Sequence, residues 1–190
     1  FDKLVCVDTI FPAVASTVFS PLPWAKIEYI PNFSPCKENS ISPIKKIEEI
    51  VFSRRFVEHR GSKILVRLIK SLRKDQINIP VKIYGSGPDE AYIQNALNGE
   101  KKIYISNLSY NSRLEAFHQN SLVLIPTLST EGTSLTCIEA MASGSTVITT
   151  CVGGLSNLII DKHNGFLCKP TINCLDKKIR EILKSDITEI

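Results

Sequence analysis

From Ile47 onward, short apolar runs alternate with helical patterns, and this alternation restricts the fold more than any other feature of the chain. Residues 47–53 read as a strand. Residues 62–74 read as a helix, with Ile64, Leu65, Leu68, Ile69 and Leu72 at helical spacing. A strand at 80–84 is stopped by Gly85-Ser86-Gly87-Pro88, and a helix over 89–97 carries Tyr92, Ile93, Ala96 and Leu97 on one side. Then come a strand at 102–105, a helix at 110–119, a strand at 121–125, a helix over 135–142 and a strand at 145–150. A turn at Asn164-Gly165 leads into a short strand from Phe166, and residues 172–184 form a last helix. Strands alternating with helices predict a parallel sheet covered on both faces. Right-handed crossovers then make the expected fold an α/β, doubly wound, Rossmann-like layer sandwich.

Two more strands, at 3–7 and 26–30, stand outside this alternation, with Pro12, Pro21 and Pro23 between them. The stretch 31–46 holds Pro31, Pro35 and Pro43 among serines and lysines, a composition suited to a linker or exposed loop. Residues 1–30 are therefore read as the tail of a preceding domain, and 31–190 as the Rossmann-like unit.

Composition excludes several classes. With 43% hydrophobic and 22% charged residues among 190, the chain is neither disordered nor fibrous. No apolar run reaches the roughly 18 to 20 residues a membrane-spanning helix needs. Phe1 is followed by no basic-then-apolar leader, which we read as neither a signal peptide nor a natural start. A net charge of +4 demands neither nucleic acid nor a membrane surface as partner, and leaves room for a local basic pocket. The six cysteines form no CxxC pair, and the three histidines are widely spread, so no zinc spacing is present. Reduced, mostly buried thiols in a cytosolic protein are expected.

In an open parallel sheet, ligands bind beyond the carboxyl ends of the strands, so the strand-to-helix loops carry the chemistry. Two stand out. In Ser53–Ser62, Arg55 and Arg60 lie near a helix start, where partial positive charge and forked guanidinium donors make an anion site. The plainer reading is a solvated basic loop paired with Glu58. In Pro126–Gly144, a buried strand runs into a polar loop. Gly132 lets the backbone approach a ligand, Thr133 or Ser134 can cap the helix, and Glu131 and Glu139 are separated by seven residues. Glu139 sits among Ile138, Ala140, Met141 and Ala142, so its carboxylate needs a partner, and sugar hydroxyls would serve. The plainer reading makes Thr133–Leu135 only a cap and Glu139 a surface acid.

The run from Glu131 to Gly144 resembles the signature of the retaining GT-B glycosyltransferases of family four. Other landmarks follow in order. Tyr29-Ile30-Pro31-Asn32 resembles that family's approach to its C-terminal domain, with Phe33 in place of the usual glycine. Arg55 with Arg60-Gly61 is similar to its diphosphate-binding Arg and Lys-Gly pair. Gly85-Ser86-Gly87-Pro88, Val152-Gly153-Gly154-Leu155 and Asn164-Gly165-Phe166-Leu167 match further landmarks, and Asn157 stands where the family often has Glu.

The resemblance implies a donor-binding domain that takes a nucleotide-diphosphate sugar as substrate, with no cofactor. Arg55 and Arg60 would hold the diphosphate. The backbone around Gly132, Thr133, Ser134 and Leu135 would cradle the same phosphates. Glu139 would accept from the ribose, Glu131 would touch the donor sugar near the reacting carbon, and Asn107 and Leu108 would meet the base. No Asp-x-Asp exists in the chain, so a metal-independent transfer is expected, with cationic groups and a helix end in the metal's place. His59, His118 and His163 match no catalytic position of the family. The sugar, glycan or lipid-linked acceptor would sit on an N-terminal domain absent from this chain. The isolated chain would then bind nucleotide and barely catalyse. A cytoplasmic location, with contact at the membrane face, fits such acceptors. Two alternatives stand beside this reading: a GT-B-fold nucleotide-sugar epimerase, and a non-catalytic nucleotide-binding module in which Glu131 and Glu139 are idle.

Overall fold

The structure, a computed structural model, describes residues 3–7, 9, 27–35 and 46–185, with Tyr110, Asn111 and Arg113 described by their backbone alone. Strands β1 (Leu4–Cys6) and β2 (Ile27–Tyr29) pair in parallel as a small sheet of their own. The remaining strands are β3 (Glu49–Ser53), β4 (Val81–Tyr84), β5 (Ile103–Ser106), β6 (Ser121–Ile125), β7 (Thr146–Thr150) and β8 (Phe166–Cys168). They form one six-stranded parallel sheet in the order β5-β4-β3-β6-β7-β8. The chain winds outward from β3 to β5, then returns to place β6 on the other side of β3. The expected doubly wound, Rossmann-like α/β fold is the fold observed, and its topological switch point lies between β3 and β6.

Helices α1 (Ser62–Lys74), α2 (Glu90–Leu97), α3 (Tyr110–Glu115), α4 (Leu135–Ala142), α5 (Leu155–Leu158) and α6 (Ile172–Lys184) make the crossovers and the final layer. The central strands β3, β6 and β7 are buried at every residue, because both sheet faces are covered. Alternate residues then feed two cores. Phe52, Ile83, Leu124 and Ile148 meet Leu65, Leu68, Ile69, Ile93 and Ile179 from α1, α2 and α6. Val51, Val123, Ile125 and Val147 meet Phe117, Cys137, Ala140 and Leu155 on the opposite face. All five apolar positions expected to face inward on α1 are buried.

Some boundaries move for physical reasons. The helix expected over 110–119 stops at Glu115. Phe117 drops fully buried into the second core, and the His118 carbonyl accepts from the Ser121 N–H at 2.9 Å, turning the chain into β6. On α2, Ile93 and Leu97 are buried but Tyr92 faces solvent at 42% exposure, so it does not join them. The short α5 carries too few residues to show a periodicity in sequence. Most of the expected linker, residues 36–45, lies outside the described residues, as does Cys36. The other five cysteines are free thiols; Cys6, Cys137 and Cys168 are buried, and Cys151 is exposed.

Candidate functional site

A cavity of about 600 Å³ opens at the carboxyl ends of β3, β4, β5 and β6, around the switch point. Ser53, Tyr84, Asn107 and Glu131 mark those four strand ends on its wall. Its size and position are those of a small-molecule site in an open α/β sheet.

The segment leaving β3 supplies the charge. Arg54 is inward, its side chain only 6% exposed, whereas Arg55 is exposed at the cavity wall. Arg54 Nη2 donates to Glu131 Oε2 at 2.5 Å. Its Nη1 is buried with no hydrogen-bond partner among the described residues. Arg60 rides on a single 3₁₀ turn, Glu58–Arg60, and its guanidinium also pairs with Glu131 Oε2. Glu58 pairs with Lys63 at 2.8 Å and Arg60 with Glu131, so the pairing of these arginines with Glu58 in the plainer reading is not seen among the described residues. The turn after β4 fixes this segment: Phe56 N–H donates to the Ser86 carbonyl at 2.9 Å, and Asp89 N–H to the Phe56 carbonyl at 3.0 Å. Gly85 has φ 146°, and a Cβ there would lie 2.0 Å from the Arg54 carbonyl oxygen, so only glycine admits this contact.

The segment leaving β6 supplies the carboxylate. Thr127, fully buried, donates from Oγ1 to Glu131 Oε2 at 2.8 Å. The Leu128 N–H donates to the His59 carbonyl at 2.9 Å, tying the two loops together. Behind Glu131 the Val-Gly-Gly-Leu turn presses on the loop backbone. Gly154 N–H donates to the Glu131 carbonyl at 3.0 Å, and a Cβ on Gly153 (φ 55°) would come within 2.0 Å of that oxygen. Ser134, rather than Thr133, caps α4 by accepting from Cys137 N–H. Thr133 instead donates to the Val7 carbonyl at 2.5 Å, and Asn157 Nδ2 donates to Thr9 Oγ1 at 2.9 Å, so the N-terminal stretch meets the site loops.

Burial alone would raise the Glu131 carboxyl, but Arg54, Arg60 and Thr127 together hold it below the ordinary carboxylate value. Burial lowers the Arg54 guanidinium from its usual value, against the opposing pull of Glu131. Cys137 is pushed up to about 12 by burial and stays a neutral thiol. Three arginines against one glutamate leave the cavity net cationic. Thr133, Ser134, Leu135 and Thr136 add a wall at the N-terminal end of α4, where helix geometry leaves N–H groups without helical partners. Such a pocket is chemically suited to a multiply charged anion.

Of the residues expected from sequence, Arg55, Arg60, Asn107, Leu108, Glu131, Thr133, Ser134 and Leu135 line the cavity. Gly132 is exposed beside it. Glu139 is buried at 3% exposure within α4 and is not among the lining residues. The surface-acid reading of Glu139 is therefore wrong. Sequence reasoning passed over Arg54 and Thr127. The only hint for Arg54 was a doubled arginine at a strand end, and for Thr127 a hydroxyl four residues before Glu131. Among the described residues, no three His, Cys, Asp or Glu side chains gather as a metal site, and no helix is long and apolar enough to cross a membrane.

Comparison with known proteins agrees with this fold. An uncharacterised glycosyltransferase of Methanocaldococcus jannaschii is 31% identical over 140 residues, covering 72% of this chain and 38% of the relative. The matched part of the chain thus spans well under half the length of that relative. Among solved structures, a Staphylococcus aureus TarM mutant in complex with fondaparinux, α-GlcNAc-glycerol and UDP superposes with a TM-score of 0.81 at 22% identity. That match covers all of this chain and 38% of TarM. Anabaena HepE in complex with UDP and glucose superposes at 0.77 with 15% identity, covering 98% of this chain and 55% of that one. Residues 37–189 match the family described as glycosyl transferases group 1, and the chain belongs to that family.

Proposed function

We propose that this chain is the donor-binding domain of a glycosyltransferase that moves a sugar from a nucleotide diphosphate to an acceptor. The observation that carries the reading is the convergence of Arg54, Arg60 and the α4 N-terminus on one cavity at the switch point. The HepE and TarM complexes, which hold UDP, support the same class of ligand.

In this reading the diphosphate lies between Arg54, Arg55 and Arg60 on one side and the backbone of Gly132–Leu135 on the other. When the anomeric C–O bond to the diphosphate breaks, negative charge builds on the phosphate oxygens. Preorganised cations in a partly dry pocket then stabilise that charge more than water would. This serves as the leaving-group clamp without a metal. Glu131 faces the donor sugar near its reacting carbon, Asn107 and Leu108 meet the base, and Glu139 turns from α4 to the ribose hydroxyls. Family-four membership, with Glu131 and Glu139 as its paired acids, and retention of anomeric configuration belong to the same proposal. The domain division at residue 30, an acceptor held by a preceding domain, and work at the cytoplasmic membrane face complete it. The separate β1–β2 sheet supports the division.

The test is a thermal-shift panel of UDP, GDP, ADP and dTDP and their glucose and N-acetylglucosamine conjugates, followed by calorimetry. We expect one nucleoside diphosphate to bind, its sugar conjugate to bind more tightly, and Glu139→Ala and Arg55→Ala to weaken both. Glu131→Ala should keep the nucleotide and lose the sugar increment. A chain indifferent to the whole panel would overturn the reading, and unchanged binding in both Glu139→Ala and Arg55→Ala would remove those residues from the site.

A further inference from the structure

Glu131 is held by three donors, and all three meet at one oxygen. Arg54, Arg60 and Thr127 each reach Oε2, which, among the described residues, leaves Oε1 as the oxygen available to an incoming group. If a diphosphate occupies the cavity, the two guanidinium groups are shared with it and their hold on Glu131 weakens. Thr127 does not face that competition. It is fully buried, and it is not part of the cavity wall.

Thr127 is itself fixed from behind. β6 ends at Ile125, and Pro126 has no N–H to continue the ladder. Two hydroxyls from β7 take over. Thr149 Oγ1 donates to the Ile125 carbonyl at 3.1 Å, and Thr150 Oγ1 donates to the Thr127 carbonyl at 2.5 Å. Both threonines are fully buried. The chain from β7 through Thr150 and Thr127 to Glu131 is therefore a rigid bracket of side-chain hydroxyls, anchored in the sheet and ending on the carboxylate.

We propose that Thr127 is the positioning residue that keeps the Glu131 carboxylate aimed at the donor sugar once Arg54 and Arg60 have turned to the diphosphate. The inference rests on the donor-site reading above. Thr127 touches neither donor nor reacting atoms and acts through Glu131. Its hydroxyl matters, and its methyl group only packs.

The test compares wild type, Thr127→Val and Thr127→Ser by calorimetry, with the nucleoside diphosphate and the sugar conjugate that shift the panel most. The pH dependence is followed from 3.5 to 7 in each. Valine keeps the shape and removes the donor, so nucleoside-diphosphate affinity should hold within about twofold while the sugar increment falls about tenfold, the worth of one hydrogen bond to a charged group. The acid limb of sugar binding should also move to higher pH, because Glu131 loses a donor that favours its ionised form. Serine should restore both the increment and the pH profile. A valine variant that keeps the increment and the pH profile, or a serine variant that behaves like valine, overturns the role of the hydroxyl while leaving the donor site standing. A wild type without any sugar increment overturns the reading beneath it.

Discussion

Two glutamates with largely buried side chains sit near opposite ends of the central sheet, each facing two basic side chains, in different surroundings. Glu131, past the carboxyl end of β6, meets Arg54 and Arg60 with its side chain 6% exposed. Glu49, at the start of β3, meets Lys82 Nζ at 2.7 Å and His118 Nε2 at 2.9 Å, with side-chain exposures of 33% and 41% for those partners. The Glu49 cluster borders solvent and pins the amino ends of β3 and β4 to the turn before β6. The Glu131 cluster borders the cavity and, in the proposed reading, keeps the guanidinium groups preorganised for an anion. Carboxylate–base clusters thus serve cohesion at one end of the strands and, under the proposed function, recognition at the other. What separates them is the place in the sheet and the exposure of the basic partners, 6% and 27% against 33% and 41%.

The largest expected effect that tests this contrast is on stability. Glu131→Gln leaves two guanidinium groups without their carboxylate, one of them buried, and should cost about 3–5 kcal/mol, the range for a broken buried pair. Glu49→Gln should cost about 1 kcal/mol or less, because its partners can turn to water. Denaturant midpoints read both. Equal losses at the two sites would erase the distinction.

A smaller effect separates the clusters by pH. The Glu131 carboxyl lies below its ordinary value in the folded chain, so its contribution is present above about pH 4.5 and is lost as pH falls through the folded value. The Lys82 ammonium is raised from 10.5, first through its hydrogen bond to Glu49, so its contribution is full below that pH and is lost as pH rises through the folded value. In thermal melts across pH, Glu131→Gln should flatten the acid limb and Lys82→Met the alkaline limb. Each variant should leave the other limb in place, and a crossed pattern would mean the assignments are reversed.

Much of this was legible in the chain itself. The alternation from Ile47 to Lys184 is explicit because β3, β6 and β7 are buried on both faces, so β3 and β6 carry apolar runs (Ile50–Phe52 and Leu122–Ile125) and β7 is built wholly of β-branched residues. The loop carrying Glu131 announced itself through its glycine, its hydroxyls and the apolar strand before it. The choice between Arg54 and Arg55 was not legible. Neighbouring side chains at a strand end point to opposite sides, and the one that turns inward is set by contacts with Tyr84 and Gly85, some thirty residues away. Glu139 shows the same gap. Helical spacing puts it in the second turn of α4, but how deeply it is covered depends on packing against a sheet that local sequence does not encode. Thr127 was hidden because a threonine after a strand usually signals only a turn.

The most direct measurement is calorimetric titration of the panel's preferred nucleoside diphosphate into wild type, Arg54→Met and Lys82→Met at one salt concentration. The account predicts that Arg54→Met weakens binding by roughly one to two orders of magnitude, in line with losing charge-assisted hydrogen bonds. Lys82→Met should bind as wild type does. Unchanged affinity in a folded Arg54→Met protein, or an equal loss in both variants, would contradict the claim that the switch-point cavity is where the diphosphate is held.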